Sequence, residues 1–163
     1  MLKPICFLIA ALALLGSCAA APKPIAYQIL AQGVHTAAAF SEPQFEVISS
    51  QQRLLALHRQ LFAGRLPPSA PPAVDFSRAL VLFVATAQKP SSGHRIELFP
   101  PERQGDTLIL RLAFHHPPPE NAAATVLTQP YALLRVERTA GLRAVRFVDA
   151  DGALLRRVEL SSR

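Results

Sequence analysis

The run from Ala79 to Ala87 is apolar over nine consecutive positions except for Thr86, with no polar residue alternating through it. A strand with one wet face alternates with a period of two, so an unbroken run of this length predicts a central strand buried on both faces. That requirement constrains the rest of the chain, which must cover two sides of one strand. The flanking patterns supply the cover. Ile96 and Leu98 point one way with Arg95 and Glu97 opposite; Leu108, Leu110, Leu112 and Phe114 share one face, with Thr107, Ile109 and Arg111 on the other. Gln104 to Asp106 reads as the turn between these two runs. A strand is expected at Ala132 to Val136. Leu142 to Val148 and Ala153 to Leu160 flank an Asp-Gly pair, Asp151 and Gly152, which signals a hairpin.

One helix is expected. Leu54, Leu55, Leu57, Leu61 and Phe62 recur at helical spacing, Ser49 or Ser50 can cap the start, and Gly64 suits the stop, so the helix covers about 51–63. His58 and Arg59 fall among its polar positions, and His58 is read as solvated. Ile25 to Ala31 and Gln44 to Ile48 read as strands, with a loop from Gln32 to Ser41 between them. Pro67, Pro68, Pro71 and Pro72 exclude helix from the next stretch and predict an extended crossing. Pro117 to Pro119 end a strand, because three successive residues cannot donate to a ladder. The fold class is therefore α+β: a mostly antiparallel sheet with one main helix. Between its buried run and the Ile96 strand, the chain carries one conspicuous loop, Gln88 to Gly93, expected at the edge of that sheet.

Ahead of the domain stands an address. Lys3 precedes the uncharged run Ile5 to Leu15, which is too short for the roughly 20 apolar residues of a membrane-crossing helix and suits a signal-peptide core. Leu15-Gly16-Ser17-Cys18 follows. It resembles the lipobox of bacterial lipoproteins, and the resemblance implies removal of residues 1–17 and acylation of Cys18. The expected layout is a leader at 1–17, a tether at 18–24 and a single domain at 25–163. Ala19, standing where Asp would favour the inner membrane in the familiar sorting rule, points to the outer membrane, facing the periplasm or the cell surface. The two cysteines are Cys6 and Cys18, so a chain that loses its leader keeps no free thiol and no disulfide.

The formal charge is +6, of which Lys3 carries one unit, and Arg135, Arg138, Arg143, Arg146, Arg156, Arg157 and Arg163 crowd the C-terminal third. A basic ribbon of this kind can meet anionic lipid; nucleic acid is disfavoured by the export signal. No Gly-x-Ser-x-Gly elbow, zinc-protease motif, phosphate loop or dinucleotide fingerprint occurs. No cofactor, metal or catalytic set is expected. His115 and His116 are neighbours on a strand and face opposite ways, and Asp149 with Asp151 reads as a turn rather than a calcium loop.

Val74-Asp75-Phe76, the buried run, Pro90-Ser91-Ser92-Gly93-His94 with Ile96 and Leu98 beyond, and Thr128-Gln129-Pro130-Tyr131 occur in that order. Together, over about 74–136, they resemble the C-terminal domain of PrcB-type protease-complex subunits. In that family a Pro-Thr-Gly-Gly-Tyr loop joins the two strands; here Ser91, Ser92 and His94 replace its Thr, first Gly and Tyr. The loop also resembles that of chagasin-type cysteine-protease inhibitors. This resemblance implies a binding module, not an enzyme, and the lipobox implies that it is lipid-anchored. Its partner would be an envelope or secreted protein such as a protease, bound by Pro90, Ser91, Ser92, Gly93 and His94. Two alternatives stand beside it: a serine hydrolase using Ser91 or Ser92 with His94, and an envelope structural protein with a lipid-facing arginine ribbon. Nothing in the residues indicates an oligomeric state.

Overall fold

The computed structural model describes residues 21–66, 69–118 and 124–161. Its centre is β4 (Ala79–Ala85), in which all seven residues are buried. Leu80, Leu82 and Val84 enter one apolar cluster, and Val81, Phe83 and Ala85 enter another on the opposite face. Two cores separated by a single strand mean three layers. A four-stranded sheet carries β4, a helix covers one face, and a second sheet covers the other.

The central sheet runs β2 (Tyr27–Gly33), β8 (Tyr131–Glu137), β4, β3 (Gln44–Ile48), antiparallel throughout. The second runs β1 (Lys23–Pro24), β6 (Glu102–Gln104), β7 (Thr107–His115), β9 (Ala144–Val148), β10 (Leu154–Glu159), with β5 (Arg95–Leu98) also paired to β7. Only the β7–β9 pair is parallel among the described strands. The fold is thus the expected α+β class, mostly antiparallel with one helix. Leu108, Leu110 and Leu112 of β7 and Val145 and Phe147 of β9 meet the β4 residues between the sheets. Burying any one of these side chains contributes about 1.5–3 kcal/mol relative to leaving it in water.

One feature of the expected architecture is corrected. The sequence pattern puts the buried run and the Ile96 strand in one antiparallel sheet, with the loop at its edge. They lie in different sheets. The two edges of β4 are taken by β3 and β8, which leaves no ladder for β5. The chain instead crosses between layers through 86–94, and β5 pairs with the far end of β7. Beyond Phe99, whose N–H donates to the Arg111 carbonyl at 3.1 Å, Pro100 and Pro101 interrupt the edge before β6 resumes it.

The helix α1 (Gln51–Phe62) starts at Ser50, whose Oγ accepts from the Arg53 N–H at 3.3 Å, and ends before Gly64 at φ +71°. Leu54, Leu57 and Leu61 face the sheet. The Arg53 guanidinium grips the Glu46 carboxylate through two bonds of 2.6 and 2.7 Å, tying the helix start to β3. His58, read as solvated, is buried: its ring lies 4.6 Å from that of Phe62, on the sheet-facing side of the helix. Four residues put it one turn from Leu54 and Phe62, so its neighbours, not its own polarity, decide its place.

Lys23 and Pro24, at the end of the expected tether, pair with Arg103 and Glu102. The β9–β10 hairpin closes on Asp149, whose carboxylate accepts from the N–H groups of Asp151 and Ala153 at 3.0 and 2.7 Å. That carboxylate is spent on the turn. Along the ribbon Arg146 stands opposite Arg157, and Arg157 reaches Glu159 at 2.5 Å. The leader, Cys18, Pro67, Pro68 and Pro119 lie outside the described residues.

Candidate functional site

The residues ahead of β4 give the loop a fixed starting point. The Asp75 carboxylate accepts from the Ser77 N–H at 3.0 Å and from its hydroxyl at 2.6 Å, bonds that hold its pKa below the usual carboxylate range. Phe76 drops into the helix-side core. The chain leaves β4 at the opposite end.

There the loop is strapped to the crossing that returns from β7. Lys89 and Thr128 exchange backbone bonds at 2.7 and 2.9 Å. The Thr128 hydroxyl donates to the Ser91 carbonyl at 2.8 Å, and the Ser92 N–H donates to the Ala124 carbonyl at 3.0 Å. The Ala124 N–H donates back to Ser92 Oγ at 3.0 Å. Ser92, where the family loop has glycine, adopts no positive φ, so its side chain is accommodated and used. Gly93 does need its freedom: φ is +87°, and a Cβ there would lie 2.8 Å from the Pro117 Cβ. The loop is half-buried to exposed along its length. It is a surface element, yet the N–H groups of Gln88, Lys89 and Ser92 are already bonded within the chain. What it offers outward is chiefly side chains.

Gln129 locks this end of the molecule and was not singled out by sequence. It is 2 % exposed. Its amide nitrogen donates to the Thr86 carbonyl at 2.9 Å and to the Phe40 carbonyl at 3.2 Å, while its oxygen accepts from the Phe40 N–H at 3.2 Å. Its position between Thr128 and Pro130 in the closing motif was the available clue; the partners at Phe40 and Thr86 were invisible without the fold.

The histidines form the second unforeseen arrangement. Because Arg95 pairs with His115, the residues one step beyond, His94 and His116, also stand opposite each other. Their Nδ1 atoms are 3.2 Å apart with the rings edge to face, and His94 Nε2 lies 3.3 Å from Ser91 Oγ. One Nδ1 must then carry a hydrogen and the other accept it. Burial, the neighbouring His116 and the Lys89 charge push the His94 pKa down. His115 takes a different partner, meeting Glu97 at 2.6 Å, and borders the same cavity as the pair. Adjacent positions on a strand predict that His115 and His116 diverge; they take separate partners but border one cavity, and the strand register, which no spacing in the sequence records, joins His94 to them.

A cavity of about 210 Å³ opens beside this pair, between the ends of the two sheets. Thr86 and Ala87 come from the chain just past β4, Phe114 and His115 from β7, and Lys89, His94 and Arg95 from the loop and β5. No acidic side chain lines it. Among the described residues no three His, Asp, Glu or Cys side chains group as a metal site. Ser91 has an imidazole within reach, but behind that imidazole stands a second imidazole rather than a carboxylate. Such a partner can set a tautomer, while it gives none of the charge stabilisation that a carboxylate gives an imidazolium. Ser92 Oγ is committed to Ala124. Among the described residues no helix is long and apolar enough to cross a membrane.

Residues 80–137 match the model of the family described as PrcB C-terminal. The match runs from β4 through the loop and the closing motif to the end of β8, and the chain resembles that family over this span. No curated protein and no solved structure matches the chain.

Proposed function

We propose that this chain is a lipid-anchored binding module of the cell envelope, acylated at Cys18, that holds an envelope or secreted protein at the loop Pro90 to His94. The family resemblance makes a protease the leading partner, which the module would stabilise or inhibit. The observation that carries this reading is the double strapping of a surface loop, by Thr128 and by Ala124, to a crossing within the matched span. Ordering a loop beforehand removes an entropic cost from binding. Val126 and Leu127 of the same crossing are large apolar side chains left exposed, at 40 % and 63 %. They extend the presented surface beside the loop.

The test replaces Ser91 to His94 with an unrelated turn and repeats a cross-linked recovery of partners from cells. Loss of a specific partner from a variant that still folds is expected. Unchanged recovery counts against the loop. Cys18→Ala separately tests the anchor, with transfer from the membrane to the soluble fraction as the expected result.

The 3.3 Å contact between Ser91 Oγ and His94 Nε2 favours one other reading, a hydrolase with Ser91 as nucleophile. A panel of ester and peptide substrates on wild-type and Ser91→Ala protein decides it. Turnover lost only in the variant establishes the hydrolase; equal turnover, or none, removes it.

A further inference from the structure

We infer that the cavity between the sheet ends receives the C-terminal carboxylate of an extended polypeptide whose last side chain is apolar. This rests on the proposed binding function and names the chemistry its partner brings.

Four observations lead there. At about 210 Å³ the cavity is smaller than the ~300–1,000 Å³ of sites for drug-sized ligands, which suits one residue rather than a whole small molecule. Its lining has an apolar part, Ala87 and Phe114 among others, that can take one aliphatic side chain. Its polar part is Thr86, Lys89, Arg95 and the three histidines His94, His115 and His116; no carboxylate is among the lining residues, and Glu97 stands behind His115 at 2.6 Å. Neither Lys89 nor Arg95 makes an ion pair among the described residues; Glu97, two positions along β5 from Arg95, is engaged by His115. An anion entering here meets two cations that form no ion pair, so it displaces none of theirs. A neutral group would leave those charges uncompensated at a partly desolvated site, which sets a preference for an acid over its amide. Capture of a terminal carboxylate is an established mode of peptide recognition. The cavity also adjoins the strapped loop, through Lys89 and His94, so a terminus seated here places the preceding residues along the loop.

The histidine pair gives the interaction a pH signature. The groups facing it are Lys89 from the loop, Arg95 and Glu97 from β5, and His115 from β7. Without a ligand His94 is pushed toward its neutral form by burial, by the neighbouring His116 and by the Lys89 charge. A bound carboxylate favours the imidazolium form, so binding takes up a proton and tightens as pH falls from 7.5 to 5.5.

The experiment uses the full chain in detergent and calorimetry with three probes: acetyl-Ala-Ala-Ala-Leu as the free acid, the same peptide as its C-terminal amide, and isovalerate. The expected result is binding of the free acid, binding of the amide at least tenfold weaker, and isovalerate weaker than the peptide acid. Affinity for the acid should rise between pH 7.5 and 5.5, and Lys89→Met should reduce it about tenfold with the thermal transition unchanged. Equal binding of acid and amide, or no binding of either at millimolar concentration, overturns the inference on wild-type protein alone. Isovalerate binding as tightly as the peptide overturns the assignment to a polypeptide end. Failure here with partner recovery still lost on loop replacement leaves the binding function standing. Peptide binding with recovery unchanged by loop replacement sinks the loop's role in that function and leaves the cavity's chemistry intact.

Discussion

Gly93→Ala is the sharpest probe of the loop. Two costs coincide at this residue. The first is the backbone: an L side chain at φ +87° sits in a sparsely populated region, which costs on the order of 1–3 kcal/mol. The second is steric: the new Cβ would lie 2.8 Å from the Pro117 Cβ and 3.5 Å from its Cα and Cγ. Pro117 is a ring in the crossing after β7, so it cannot swing aside as a long side chain would, and overpacking of this kind adds about 1–3 kcal/mol. Gly64 and Gly105 provide internal controls. They hold φ values of +71° and +61°, and no atom lies within 4 Å of where their Cβ would be. Gly64→Ala and Gly105→Ala therefore carry the backbone cost alone. Urea denaturation of the four proteins gives the comparison directly, since the midpoint shifts at unchanged slope report stability. The expected order places Gly93→Ala about 1–3 kcal/mol below both controls. Equal losses in all three variants would refute the claim that Pro117 closes rigidly on the loop.

Two further outcomes follow from the same end of the molecule and from the helix. Gln129→Leu leaves the Thr86 carbonyl and the Phe40 N–H without their partner, while the Phe40 carbonyl keeps the Gln88 N–H, and should cost about 2–4 kcal/mol, read by the same denaturation. His58 and His94 both have pKa values lowered mainly by burial, so the unfolded chain binds more protons than the folded one just below the ordinary histidine pKa. Stability from this source is fully present above about pH 6.5 and is lost as pH falls through the depressed values. The thermal midpoint should drop between pH 7 and pH 5, and His58→Phe, which keeps the contact with Phe62, should flatten part of that slope; a wild-type midpoint constant across the window would contradict it. Asp75 acts in a separate and lower window. Its depressed carboxylate pKa gives stability present above the ordinary carboxylate value and lost only in stronger acid.

Much of this was legible in the chain, because it depends on neighbours close in sequence. The uninterrupted run at Ala79 announced a strand covered on both faces, and β4 is covered on both. Ser50 and Gly64 bound the helix as hydroxyl cap and left-handed stop. Gly93, the one glycine of the loop, takes the positive φ, and alternation placed Leu108, Leu110 and Leu112 on one face, which is the buried one. Periodicity reports which face of an element is dry. It does not report which other element dries it.

That second question was decided in three dimensions. β4 has only two edges, and once β3 and β8 occupy them the following strand must join another sheet, a choice no local pattern records. Only the β5–β7 register sets His94 opposite His116, 22 residues away, beside a cavity rimmed by a loop lysine and a β5 arginine. Gln129 owes its importance to Phe40, 89 positions distant. His58 is polar by composition and buried by circumstance, since the packing of α1 on its sheet carries every residue on that side out of water.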